Sequence, residues 1–196
     1  SMGDPEAETE RRRFQYRGIP DRGKADLWKY GYITFDSPEG ETVSKNLEYY
    51  LAAWSVAQVA GKLGHKEDSV RYHNLSMGYK KIFDERVQFF RAKNKAGNFR
   101  TTEGFNPSHH TKDYTEGTPW QYLWLVPHDV DGLIELLGGK EKASARLDSL
   151  FLADSQLNAD ANPDISGLIG QYAHGNEPSH HTIYIYNYLG QPEKTN

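Results

Sequence analysis

The feature that most restricts the fold is a helical period between Thr42 and Leu63. Val43, Leu47, Tyr50, Leu51, Trp54, Ala57 and Val59 recur at the spacing that places them on one side of a helix, and Gly64 is a natural stop. A second helix is predicted after Lys66, running toward Phe83 with Val70, Tyr72, Leu75 and Tyr79 as its apolar face. The turn "LGHKED" between them is short, which predicts an antiparallel pair. Further helices are expected from Pro119 to Val126 with Thr118 as cap, over "HDVDGLIELL" before Gly138-Gly139, over "KEKASARLDSLF", and after Pro178 up to Gly190. Strands and helices do not alternate, which excludes a doubly wound sheet. The expectation is an all-α chain of antiparallel helix pairs with long loops at one end, and no sheet beyond a hairpin or two.

Residues 1–40 are rich in Gly, Pro and Asp and read as a long loop, with a short strand at Tyr32–Phe35. Residues 84–117 are irregular, with one hairpin signal at Lys95–Asn98 around Gly97. So long a loop in a compact domain is uncommon, and such loops often carry function.

Composition narrows the function. The net charge is -4, and the basic run Arg11–Arg13 reads as a solvated face, so the basic stripe of a nucleic-acid binder is missing. No apolar run approaches the length of a membrane span, and no signal peptide is visible. There is no cysteine, which removes thiol catalysis and disulfides. The chain holds 13 Tyr and 4 Trp yet is hydrophilic, with a mean hydropathy of -0.80. Rings on partly wet surfaces suit a sugar cleft; tyrosines facing outward at helix interfaces account for the same composition.

Polar chemistry concentrates in two stretches. In "DYTEGTPWQYLWLVPHD" (113–129), Glu116 precedes a helix start, and Trp120 and Trp124 are placed to wall a dry pocket around it. Burial beside rings raises a glutamate's pKa, as a general acid needs, whereas a helix N-terminus opposes that shift. A helix-capping role is the structural alternative. In "GQYAHGNEPSHH" (170–181), Glu177 stands among Asn176, His180 and His181 and near another helix start, where capping is again the alternative. This cluster suits a polyol or a metal. No HExxH spacing exists, adjacent histidines on a helix point apart, and Glu with Asn offers the oxygens calcium prefers. His109-His110 reads as a solvated loop pair, and His65 and His73 as surface residues. A GxSxG elbow and a phosphate-binding glycine loop are both absent.

These stretches carry a resemblance. "DYTEGTPWQYLWLVPHDVDGLIELLGGKE", "DISGLIGQYAHGNEPSHHTIYIYNYLGQPEKT" and "KYGYITFDSPEGETVSKNLEYYLAAWSVAQVAGKLG" resemble the catalytic domain of glycoside hydrolase family 92, calcium-dependent exo-acting α-mannosidases. "MGDPE" resembles an internal stretch of the family, so the likeness covers nearly the whole chain. The resemblance implies a β-sandwich followed by an (α/α)6 barrel, with residues 1–196 a portion of that single barrel domain, lacking the sandwich and the barrel's C-terminal end.

The resemblance also implies hydrolysis of terminal α-mannose with inversion, Glu116 matching the general acid. Trp120, Gln121, Asn176, Glu177, His180 and His181 fall where the family lines the sugar site, with Glu177 and Asn176 as candidate calcium ligands. The family's general base is an aspartate downstream of the "GQP" segment, in a motif this chain lacks. The activity is therefore expected of the whole protein and not of these 196 residues alone. The expected partners are a mannose-containing glycan and the remainder of the polypeptide, in a periplasmic or secreted setting. The rival class is a non-catalytic helical carbohydrate-binding or scaffold module that keeps the pocket without hydrolysis.

Overall fold

The computed structural model describes residues 23–196; the basic run at Arg11–Arg13 and most of the predicted N-terminal loop lie outside them. The order of regular elements is α1 (Lys24–Tyr30), α2 (Thr42–Lys62), α3 (Lys66–Ser76), β1 (Phe83–Asp84), β2 (Phe89–Phe90), α4 (Pro119–Tyr122), α5 (Val130–Leu136), α6 (Lys140–Leu152), β3 (Leu168–Ile169), β4 (Tyr172–Ala173) and α7 (Ile185–Tyr188). Among the described residues the only sheets are two antiparallel two-stranded ones, β1–β2 and β3–β4. The molecule is mostly helical, as the periodicity predicts.

α2 and α3 form the predicted antiparallel pair. Gly64, at φ 83°, turns the chain, and Ser69 Oγ of α3 donates to Ala57 O of α2 at 3.0 Å. One face of α2 is the core face: Val43, Leu47, Tyr50, Ala53 and Ala57 are buried, whereas Val56, Val59 and Leu63 stay exposed. α3 differs from expectation. It ends at Ser76 in a 3-10 turn, Met77–Lys81. Val70 is 60% exposed, while Tyr79 beyond the helix is fully buried.

Four further predictions need correction. The helix expected from Pro178 to Gly190 is broken into 3-10 turns at Glu177–Ser179 and Thr182–Tyr184, and α7 keeps only four residues. Lys24–Tyr30 is helical, bracketed by Gly23 and Gly31, both left-handed. Tyr32–Phe35 is not a strand; the buried Asn46 amide takes the place of a neighbouring strand, accepting from Ile33 N–H at 2.7 Å and donating to Ile33 O at 3.1 Å. The helix at Pro119 is regular only to Tyr122, and tighter turns carry the chain to Val126. The hairpin at Lys95–Asn98 is present, with Asn94 N–H donating to Asn98 O at 2.9 Å.

The core gathers α2, β1, β2, the 120–126 segment, α5 and α6 around Trp124, Tyr50, Tyr79, Phe90, Leu123, Leu133 and Leu147. Much of the aromatic content is spent here rather than on a wet surface. The tyrosines enter the core because each hydroxyl finds a partner: Tyr50 donates to Gly31 O, Tyr114 to Phe90 O and Tyr122 to Thr115 O, each at 2.7 Å. Such bonds contribute about 1 kcal/mol each and make a buried phenol tolerable.

The start of α5 holds a pH-sensitive contact. Burial pushes His128 below its ordinary value, against the bond its Nε2–H donates to Ser76 O at 3.0 Å. Above about pH 6.5 the imidazole is neutral in folded and unfolded chains alike. Below that, the unfolded chain binds the proton first, so stability falls as pH drops toward the folded value. The unfolding midpoint of His128→Gln should therefore fall less between about pH 7.5 and 5.5 than that of the native protein. An identical slope in both would remove His128 as the source.

Candidate active site

A cleft of about 330 Å³ opens where three segments meet: Ser44, Lys45, Glu48 and Tyr49 of α2, Thr115 and Glu116 before α4 with Tyr122 on it, and Asn176, Glu177 and Pro178 after β4. A wider hollow of about 520 Å³ lies against α5 and α6, and among the described residues no carboxylate lines it. The narrower cleft is the one that can give up a proton or take hydroxyls.

Glu116 is central. Its φ is 45°, in the left-handed region where a residue with a Cβ is strained by about 1–3 kcal/mol. Such a conformation persists when its surroundings impose it, and here they do. Thr115 N–H donates to Ser44 Oγ at 2.8 Å, and Thr115 O accepts from Tyr122 OH at 2.7 Å. Glu116 O accepts from Asn176 Nδ2 at 2.6 Å. Gly117 O meets His110 Nδ1 at 2.9 Å, and a carbonyl only accepts, so that nitrogen carries the hydrogen. A Cβ on Gly117 would stand 2.6 Å from Tyr122 Cε2, so the next position is restricted to glycine. Tyr122 remains a neutral donor, its pKa pushed up to about 12 by burial, against its bond with Ser44 and with the charge of Glu48 adding.

Of the residues singled out in the sequence, Glu116, Asn176 and Glu177 meet in this cleft. The tryptophans lie elsewhere. Trp120 packs edge-on against Phe89 at 5.0 Å with the Arg146 guanidinium over its ring at 4.9 Å, and Trp124 is fully buried. The walls are Tyr49 and Tyr122 instead. Gln121 is buried behind the cleft, where Oε1 accepts from Thr118 N–H at 2.8 Å and Nε2 donates to Gln171 O at 3.0 Å. His181 Nε2–H donates to Trp124 O at 2.6 Å, and burial lowers its pKa. His180 turns outward, donating to His174 O at 3.0 Å. Glu177 opens a 3-10 turn, Glu177–Ser179.

Two contributions were not legible in the sequence. The wall from α2 was missed because its residues lie some seventy positions from Glu116. Glu48 there stands at the mouth, exposed in area, yet enough protein surrounds its carboxyl that desolvation raises its pKa. Lys45 is turned to Glu39 at 2.9 Å. His110, read as a solvated residue, is the fourth tether and is itself fixed: its N–H donates to Asn158 Oδ1 at 2.9 Å, and its carbonyl accepts from Asn158 Nδ2 at 3.0 Å.

Glu48, Glu177 and the Asn176 amide oxygen are donors of the type calcium takes, and among the described residues no histidine lines the cleft. Among the described residues no group of three or more His, Cys, Asp or Glu is placed to hold an ion. The donor set thus fits calcium by type and supplies only part of its six to eight ligands. No helix among the described residues is long and apolar enough to cross a membrane.

Comparison with known proteins shows the family. Residues 5–196 match the glycosyl hydrolase family 92 catalytic domain. A family GH92 α-mannosidase of Bacteroides thetaiotaomicron is 42% identical, with a TM-score of 0.74 over 84% of this chain and 21% of its own; it has also been solved with mannoimidazole. A family GH92 inverting mannosidase of Bacteroides thetaiotaomicron VPI-5482 is 35% identical, with a TM-score of 0.74 over 88% of this chain and 24% of its own. An uncharacterized secreted glycosidase of Arthroderma benhamiae is 40% identical over 73 residues, 37% of this chain and 7% of that protein. The chain spans about a fifth of the length of the first of these mannosidases. It belongs to glycosyl hydrolase family 92, as a part of that family's catalytic domain.

Proposed function

We propose that the whole protein is a calcium-dependent exo-α-mannosidase that releases terminal mannose with inversion, and that this chain supplies its general acid. The observation that carries the reading is Glu116, held left-handed at a cleft flanked by Glu48 and Glu177, within a segment that matches the family. Related chains named as mannosidases, one of them solved with mannoimidazole, support mannose as the sugar. A secreted relative supports an extracytoplasmic setting, on glycans carrying mannose. The helix pairs are read as one portion of an (α/α)6 barrel completed by the remainder of the polypeptide.

In this reading the bond from the sugar's anomeric carbon to the glycosidic oxygen breaks, and its electron pair stays on oxygen. The Glu116 carboxyl gives that oxygen its proton. Water adds to the anomeric carbon from the opposite face, its proton going to a carboxylate outside these 196 residues. Glu48 and Glu177 accept from sugar hydroxyls. Gln121 and His181 brace the segments behind the cleft through Gln171 O and Trp124 O, while Trp120 and His180 stand away from it. Calcium, when bound, would fix the orientation of sugar hydroxyls; Glu177 and Asn176 are the ligands this chain would offer.

The test uses the whole protein and an α-linked mannobiose. Proton NMR at early times should show β-mannose first, activity should vanish in chelator, and calcium should restore it where zinc does not. Early α-mannose would end the inverting assignment. Full activity in chelator, or rescue by zinc alone, would end the calcium one.

A further inference from the structure

Four side chains grip the backbone of three consecutive residues, Thr115 to Gly117, and they come from four separate parts of the chain. Ser44 is on α2, Tyr122 on α4, Asn176 follows β4, and His110 is in the irregular segment. Every contact is to backbone of residues 115–117, so none of the four uses the carboxyl group. Asn176 is 4% exposed and makes the shortest of the four bonds, which spends its amide N–H₂ on Glu116 O. A ligand-binding role for Asn176 does not need that bond, whereas a left-handed glutamate does. A rotation of a few tens of degrees at Glu116 would swing its carboxyl out of line with a bound glycosidic oxygen, and misplacement by about 1 Å costs on the order of 10²-fold in rate.

We infer that Asn176 is a positioning residue for the acid, acting through the Glu116 carbonyl, with Ser44, Tyr122 and His110 completing the clamp. This rests on the reading of Glu116 as the proton donor. It separates Asn176 from the sugar-contacting carboxylates, Glu48 and Glu177. Its amide N–H₂ sets where the proton is delivered; their carboxylates set what is held.

The experiment compares Asn176→Ala, Glu116→Gln and the double variant in the whole protein, on an α-linked mannobiose and on dinitrophenyl α-mannoside. Asn176→Ala should lose on the order of 10²-fold in kcat on mannobiose and far less on the aryl mannoside, whose leaving group needs no proton. In the Glu116→Gln background the same change should add almost no further loss on mannobiose, since there is no longer an acid to aim. Equal losses on both substrates, full additivity in the double variant, or an unimpaired Asn176→Ala would each overturn the inference. Should Asn176→Ala not fold, Ser44→Ala removes one acceptor from the same clamp with a smaller change and must show the same leaving-group dependence. If Glu116→Gln itself slows both substrates equally, the acid assignment falls, and the inference with it.

Discussion

Glu116→Gln should slow the whole protein on an α-linked mannobiose by about 10²–10⁴-fold, the usual worth of general acid assistance. A dinitrophenyl α-mannoside should be largely spared. A sugar leaves as a basic alkoxide and needs a proton in the transition state; a dinitrophenolate is weakly basic and departs without one. The substitution leaves the cleft's architecture in place. All four tethers reach backbone atoms of residues 115–117, which Gln retains, and Gln matches Glu in volume. The carboxyl group alone is removed. An equal slowing of both substrates in a folded variant would make Glu116 a structural or binding residue and move the acid to Glu177, the other candidate from the sequence facing the same cleft.

The regular framework was legible where a local pattern decides it. The α2–α3 pair follows from an apolar period and a glycine stop, and the α4 start from Thr118 and Pro119, because both signals act within a few residues. α1 escaped notice because it has seven residues, too few for a period, between two glycines. The extended segment at Ile33 looked like a strand because its backbone is satisfied as a strand's would be. Its partner is a side chain, Asn46, and spacing along the chain cannot show that.

The site was half legible for a similar reason. The two carboxylates singled out at loop-to-helix junctions, where glycine, proline and acidic residues cluster in sequence, line the same cleft. Their third wall was not legible, because α2 reaches the cleft through tertiary packing. The tryptophans show the converse error. Trp120 is four residues from Glu116, yet the left-handed backbone at Glu116 lies between them and the ring goes to Phe89 in the core. Nearness in sequence put a ring beside the carboxyl; the turn that makes Glu116 distinctive stands between the two.

That turn depends on an irregular segment, 91–117, whose order comes from side chains. Here the largest stability effect is expected at Arg91. Asp84 on β1 is 1% exposed and Arg91 5% exposed. Arg91 Nη1 donates to Asp84 Oδ2 at 2.7 Å and Nη2 to Thr101 O at 2.5 Å, while Arg86 donates through Nε and Nη2 at 2.9 and 2.8 Å. The guanidinium thus links the β1–β2 hairpin to the segment that leads to Glu116, which Arg100 and Asp113 tie again at 2.8 Å. Arg91→Met removes the buried cation but leaves the buried carboxylate with an exposed partner. The loss should be about 3 kcal/mol, the lower end of what breaking a buried pair costs, because Arg86 remains. Asp84→Leu with Arg91→Met should recover most of it, since the stranded charge is then gone. The pH dependence gives a second reading. Burial raises the Asp84 pKa, but hydrogen bonds from Arg86 and Arg91 outweigh it and hold the carboxyl at about 2. A lowered folded value contributes stability that is complete above about pH 3.9, the unfolded value, and is lost as pH falls through the folded one. Denaturant unfolding near neutrality and near pH 3 should therefore show a smaller acid loss in Arg91→Met than in the native protein. A single variant as stable as the native protein at neutral pH would mean that packing alone orders the segment, and that the clamp on Glu116 is held without this pair.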